Sequence, residues 1–189
     1  MSDVRPVAVA FDLDNTLIDR NAAVRAWWRT HHPHIDLARV EAEDGGGHRS
    51  RADWFAALGL PGEHTHFLAT IADFVTPAPG VAALLDRLAR RYRLALLTNG
   101  GSRTQRTKLA RAGLSQRFEA VLVSGELGVD KPHPRAFGAL LDALHLPPEA
   151  VLFVGDDRMR DIDGARACGL HAVQVRSPHH LPEALAPWL

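Results

Sequence analysis

The sequence predicts an α/β fold built around a parallel sheet. Three observations carry that expectation. Five short apolar runs punctuate the chain, amphipathic helical stretches alternate with them, and polar residues suited to chemistry stand directly after four of the runs. With 189 residues, the chain can bury one core and a small appendage, but not two full domains.

Strands are expected over residues 6–11, 94–98, 120–123, 151–154 and 172–175. Each is apolar almost throughout rather than alternating, the pattern of strands covered on both faces. Helices are expected over 80–91, 103–112, 134–144 and 161–168. Gly113 and Gly169 stand where a left-handed residue would close two of them. Between Asp19 and Thr76 the alternation stops. That stretch reads as helical without a strand, and it holds three of the four tryptophans and six of the eleven histidines. Within it, residues 44–50 (DGGGHRS) read as a flexible loop, and Pro77, Pro79 and Gly80 mark the return to the core. The expected domains are residues 1–18 with 78–189 as the core, and 19–77 as a small helical cap inserted after the first strand. No internal repeat or low-complexity segment interrupts this plan.

Composition narrows the partners. The formal net charge is zero, so no global field draws in nucleic acid or an anionic membrane, and any attraction for an anion is local. Neither a basic stripe nor an aromatic platform for nucleic acid is evident. Cys168 is the only cysteine, which excludes an intramolecular disulfide. The N-terminal MSDVR lacks the basic and apolar regions of a signal peptide, and no apolar run is long enough to cross a bilayer. A cytoplasmic protein is expected, as a monomer or homodimer. Of the 22 basic residues only Lys108 and Lys131 are lysines, so each lysine is mildly informative.

Four constellations follow four of the strands, where the loops of an open parallel sheet converge on one crevice. Asp12-Leu-Asp14-Asn-Thr16 sets two carboxylates one residue apart. One can attack phosphorus while the other protonates the leaving oxygen and then activates water. A polar turn ending a strand would look similar. Thr98-Asn99-Gly100-Gly101 offers a hydroxyl and successive backbone N–H groups to an oxyanion, or is simply a glycine-rich turn into a helix. Asp130-Lys131-Pro132 supplies a compact positive charge, or a solvated loop lysine. Gly155-Asp156-Asp157, followed by Asp161, would repel Asp12 unless a cation lay between them, and hard oxygen donors suit Mg²⁺. Its alternative is an acidic turn capping a helix that begins near Asp161. The ordered conjunction of all four is the informative signal.

On these motifs, FDLDNT, LLTNG, DKP and VGDDRMRDIDGA, the sequence resembles phosphatases of the haloacid dehalogenase superfamily over residues 4–18 and 78–176. The resemblance implies a doubly wound, Rossmann-like core with an α-helical cap after the first motif, and hydrolysis of a small phosphorylated substrate through an aspartyl-phosphate. It implies Asp12 as nucleophile and Asp14 as general acid and base. Thr98 and the backbone at Asn99 would hold phosphoryl oxygens, and Lys131 would neutralise charge. Asp12, Asp156 and the backbone carbonyl of Asp14 would bind Mg²⁺, with Asp161 orienting metal-bound water or Lys131. Dehalogenases of the superfamily need no Mg²⁺ and lack the second aspartate, so Asp14 favours a phosphatase. A phosphosugar mutase shares these motifs and is the alternative activity; an inactive binding or scaffold member, which usually lacks one of them, is the alternative from another class. The cap is shorter than is usual for a helical cap in the family.

Within the cap, Val24, Trp27 and Trp28 share one helical face and read mainly as its core. Arg20 follows the nucleophile loop and is placed either to touch phosphate or to lie on the surface. Arg49 and Arg51 flank the loop as solvated residues or as contacts for an anionic substrate group. His31, His32, His34, His48, His64 and His66 lack the spacing of a metal site and read as scattered surface residues.

Overall fold

The computed structural model describes residues 5–189, so the reading of the extreme N-terminus at residues 1–4 lies outside it. Strands β1 (Ala8–Phe11), β2 (Arg93–Thr98), β3 (Ala120–Val123), β4 (Val151–Gly155) and β5 (His171–Gln174) form one sheet in the order β3-β2-β1-β4-β5. All four pairings are parallel. The central β1 is buried along its whole length, which explains its unbroken apolar sequence. It starts two residues later than expected, at Ala8, although Val7 still bonds through its amide to Ala150 O and through its carbonyl to Arg93 N. The sheet grows from β1 toward β2 and β3 on one side and toward β4 and β5 on the other. The order therefore reverses beside β1, and a crevice opens beyond the carboxyl ends of β1 and β4.

The chain divides into two compact units. One comprises the residues up to Asp19 together with Thr76–Leu189, and the other is Arg20–Val75. The second unit contains helices α1 (Arg20–His31), α2 (Leu37–Asp44), α3 (Arg51–Ala57) and α4 (His64–Thr70). Asp36 and Ser50 cap α2 and α3, each accepting a bond from a backbone amide of the first turn. Trp27, Trp28, Trp54, Phe55 and Phe67 form the core of this unit, with Trp28 stacked on Phe55 at 4.9 Å between ring centroids. Two of the three indoles are anchored as well as buried: Trp27 Nε1 donates to Thr70 Oγ1 at 2.8 Å and Trp54 Nε1 to Val40 O at 3.0 Å.

Residues 44–50 differ from the flexible loop expected. Asp44 ends α2 and is buried, and Gly45–Gly47 form a tight 3-10 turn with φ of 57°, 67° and 87°. The glycines are there because the chain turns through the left-handed region beside the Arg20 and Arg51 guanidiniums. Of the six histidines of this unit, His34, His48 and His66 are exposed as expected, whereas His31, His32 and His64 are half-buried. His31 stacks on Trp27 at 4.4 Å, and His32 and His66 lie against the same indole.

In the first unit, α5 (Val81–Leu88), α6 (Ser102–Arg111), α7 (Ser124–Leu127), α8 (Pro134–Leu144), α9 (Gly164–Ala167) and α10 (Leu181–Ala184) accompany the sheet. One buried cluster packs Phe137, Leu140 and Leu144 of α8 on Ala8, Ala10, Ala95, Leu97 and Phe153. Small alanines on β1 and β2 leave room for Phe137 and Phe153, which meet edge-on at 5.4 Å. Each buried ring contributes roughly 1.5–3 kcal/mol. The helix expected over 161–168 begins earlier, as a wide π turn at Arg158–Asp163 that leads into α9. Asp157 is its cap, accepting from the amides of Met159 and Arg160, so Asp161 lies inside the turn rather than at its start. Among the described residues, no helix is long and apolar enough to cross a membrane.

Candidate active site

The loops after β1, β2 and β4 and the segment before α8 bring the expected residues together. The amide of Asp12 continues the sheet by bonding Val154 O at 2.9 Å, which fixes the residue at the mouth of the crevice. Lys131 Nζ lies 2.7 Å from Asp12 Oδ1 and 2.7 Å from Asp161 Oδ1, with its side chain almost wholly buried. The Phe153 ring lies 5.0 Å from the same ammonium. Asp161 uses its second oxygen to accept from Asp157 N at 3.1 Å. Gly155 makes this possible, because a Cβ there would fall 2.2 Å from Asp161 Oδ2.

The charges do not balance locally. Oxygens of Asp12, Asp156 and Asp161 lie within 4.8 Å of one another, and Lys131 is the ammonium among them. Burial, with Asp161 and Asp156 nearby, pushes the Asp12 carboxyl up to about 8 despite the opposing pull of Lys131. Burial and Asp161 likewise push Asp156 up to about 6. Burial works against the Lys131 ammonium, yet Asp12 and Asp161 hold it above the usual lysine range. An all-oxygen, excess-anionic donor set of this kind fits a hard divalent cation such as Mg²⁺. Both Asp161 oxygens are already engaged by protein donors, whereas Asp12 has one oxygen outside its bond to Lys131.

Asp14 belongs to a separate arm of the site. Lys108 Nζ donates to both of its oxygens at 2.8 Å, and Gln105 Nε2 lies 3.2 Å from Oδ2. Gln105 Nε2 also donates to Thr98 Oγ1 at 2.8 Å, linking Asp14 to the residue that ends β2. Asn99 connects the remaining parts. Its side chain exchanges two 2.9 Å bonds with the backbone of Lys131, so the loop after β2 is tied to the lysine. Gly100 N donates to Ser124 Oγ at 2.9 Å at the start of the unexpected helix α7.

Gln105, Lys108 and Ser124 were not singled out by motif or spacing. For Lys108 a signal existed, since it is one of two lysines in an arginine-rich chain, but nothing in the sequence indicates which way its helix faces. The arginines after the nucleophile loop are engaged elsewhere. Arg20 forms a bidentate pair with Asp44, in which its Nη2 lies 2.8 Å from Oδ1. Arg51 Nη1 lies 2.8 Å from that same oxygen, and Arg49 pairs with Glu43. Burial would raise the Asp44 carboxyl, but Arg20, then Arg51, hold it below the usual range.

The chain belongs to the haloacid dehalogenase-like hydrolase family, whose model matches residues 7–169. Over 98 residues it is 47% identical to the phosphoserine phosphatase of Thermus thermophilus, covering 51% of this chain and 39% of that protein. Over 138 residues it is 33% identical to the pyrimidine 5'-nucleotidase YjjG of Escherichia coli, covering 71% of this chain and 61% of that protein. The chain thus spans less than two thirds of the length of either curated relative. The HAD-hydrolase YfnB of Bacillus subtilis, solved bound to magnesium, superposes with a TM-score of 0.76 at 22% identity, over 96% of this chain and 99% of that one.

Proposed function

We propose that this protein is a Mg²⁺-dependent phosphomonoester hydrolase that acts on a small phosphorylated metabolite in the cytoplasm through an aspartyl-phosphate on Asp12. The observation that carries this reading is the division of the two motif aspartates. Asp12 shares a buried ammonium with Asp161 beside Asp156, while Asp14, two residues on, is held by Lys108 and Gln105. Two carboxylates in different surroundings suit two different roles. The phosphatase and nucleotidase relatives act on phosphoric monoesters by their names, which supports the same bond as the one broken here.

In this reading, an Asp12 oxygen attacks phosphorus, and Asp14 protonates the departing alkoxide. Asp14 then takes a proton from the water that cleaves the aspartyl-phosphate. Thr98 and the backbone at Asn99 hold phosphoryl oxygens, and Lys131 offsets charge on the transferring group. Asp12, Asp156 and the backbone carbonyl of Asp14 would hold Mg²⁺, with Asp161 behind them through Lys131. When bound, the ion supplies Lewis-acid charge neutralisation between Asp12 and the phosphate dianion. The presence of Asp14 separates this chemistry from dehalogenation.

The test is phosphate release from p-nitrophenyl phosphate and a panel of phosphorylated metabolites, with Mg²⁺ and with EDTA. Release that EDTA abolishes and Mg²⁺ restores is expected. A folded protein that neither binds Mg²⁺ nor releases phosphate from any compound would overturn the proposal. Phosphoryl transfer between hydroxyls of one sugar, dependent on a bisphosphate, would instead identify a mutase.

A further inference from the structure

Helix α6 sends two polar side chains, Gln105 and Lys108, one turn apart into buried positions. Lysine is among the residues least often buried, yet Lys108, like Lys131, is buried in a chain whose other basic residues are all arginines. Its ammonium grips both oxygens of Asp14 at 2.8 Å. Gln105 adds a donor to Asp14 Oδ2 and uses the same amide nitrogen to reach Thr98 Oγ1. The loop is shaped around that amide. Gly100 has φ of 140°, and a Cβ there would lie 3.0 Å from Gln105 Cγ. A carboxylate held on both oxygens from one helix has its rotamer and plane fixed. The Asp14 side chain nevertheless remains 24% exposed, so the held group is still accessible to a ligand.

We infer that Lys108 and Gln105 are positioning residues that orient Asp14 for proton transfer and set its distance from Thr98. This rests on the reading of Asp14 as acid and base. Asp14 enters the first half protonated on Oδ1, while Oδ2 keeps its bonds from Lys108 and Gln105; as the leaving group departs, the P–O bond pair passes to the alkoxide oxygen, which takes that proton and leaves Asp14 as the carboxylate. In the second half, Asp14 receives a proton from water as the water oxygen bonds phosphorus and the Asp12–phosphorus bond breaks. Both transfers require the carboxyl within hydrogen-bond reach of the reacting oxygen, so a mispointed Asp14 costs rate without loss of binding.

The leaving group provides a readout that a merely structural role would not move. A nitrophenolate departs with little help from an acid, whereas an alkoxide needs the proton. The experiment compares kcat/KM for p-nitrophenyl phosphate and for an alkyl phosphate in the wild-type protein, Lys108→Met and Lys108→Arg, each with Mg²⁺. In Lys108→Met the alkyl phosphate is expected to lose about 100-fold and the aryl phosphate about 10-fold or less, within the range of general acid catalysis. Lys108→Arg, which keeps a two-donor cation, is expected to recover much of the ratio. Equal losses on both substrates in a folded Lys108→Met variant would overturn the inference, as would a ratio no better in Lys108→Arg. If Lys108→Met does not fold, Gln105→Met is put to the same ratio test: a selective loss on the alkyl phosphate supports the inference, and equal losses overturn it. A wild-type protein inactive on both substrates would instead count against the phosphatase reading itself.

Discussion

Asp44→Asn isolates the buried ion pair of the helical unit. Asp44 and Arg20 have side chains only 6% and 5% exposed, and Arg51 donates to the same carboxylate. Asparagine preserves the shape but removes the charge. It also turns an NH₂ group toward guanidinium donors in place of an acceptor. Arg20 would retain Asn21 Oδ1 at 3.4 Å, which does not replace a bidentate carboxylate. Breaking such a pair from one side costs about 3–5 kcal/mol, a large part of the roughly 5–15 kcal/mol that holds a domain folded. Urea unfolding followed by tryptophan fluorescence reads this unit selectively, because it holds Trp27, Trp28 and Trp54 while only Trp188 lies elsewhere. The double variant Arg20→Met, Asp44→Leu is expected to regain most of the loss, since it removes both deeply buried charges and the Arg51 partner that remains is partly exposed to water. A loss below about 1 kcal/mol in Asp44→Asn, or a double variant as weak as the single one, would refute this account of the pair. The Asp44 carboxyl is held below its unfolded value. Its contribution is therefore present above the unfolded pKa and disappears as pH falls through the folded one. The wild-type protein should accordingly lose its advantage over Asp44→Asn under acid conditions.

Two further predictions concern the carboxylate cluster. Gly155→Ala would drive a methyl group into Asp161, and so should displace the Asp161–Lys131 contact and lower activity about 100-fold or more; near-normal kcat/KM would contradict the role given to that contact. Asp12 and Asp156 have carboxyls raised to about 8 and about 6, so the folded state binds more protons than the unfolded one between their unfolded values and those pH values. Without metal, their contribution to stability should therefore shrink as pH rises through that window, and Mg²⁺ should restore it. Thermal melts from pH 5 to 9 in EDTA and in Mg²⁺ check this, and a stabilisation by Mg²⁺ that did not grow with pH would contradict it.

The parts of the fold that were legible are those set by local pattern. β1 and β4 are buried on both faces and could only read as apolar runs, and α8 was bounded by Pro134 at its first turn. Asp12, Lys131, Asp156 and Asp161 stood out by residue type after successive strands, and they do converge. What the sequence hid depends on distant partners. Three glycines after Asp44 suggested flexibility because Arg20, 24 residues upstream, gave no sign of being its counter-ion. The helix expected over 161–168 begins earlier than its pattern suggests because Asp157 and Asp161 are both plausible caps until backbone geometry chooses one. Gln105 and Lys108 lie more than 90 residues from Asp14, and only the orientation of α6 joins them to it.

The central claim is that Asp12 carries the phosphoryl group. Acid quenching of the protein during turnover of a phosphomonoester with Mg²⁺, followed by peptide mapping, tests it most directly. The account predicts an acyl phosphate on the peptide containing Asp12 and neither phosphorylation nor turnover in a folded Asp12→Asn variant. Sustained phosphate release by Asp12→Asn, or a phosphoryl group trapped on another residue, would contradict it.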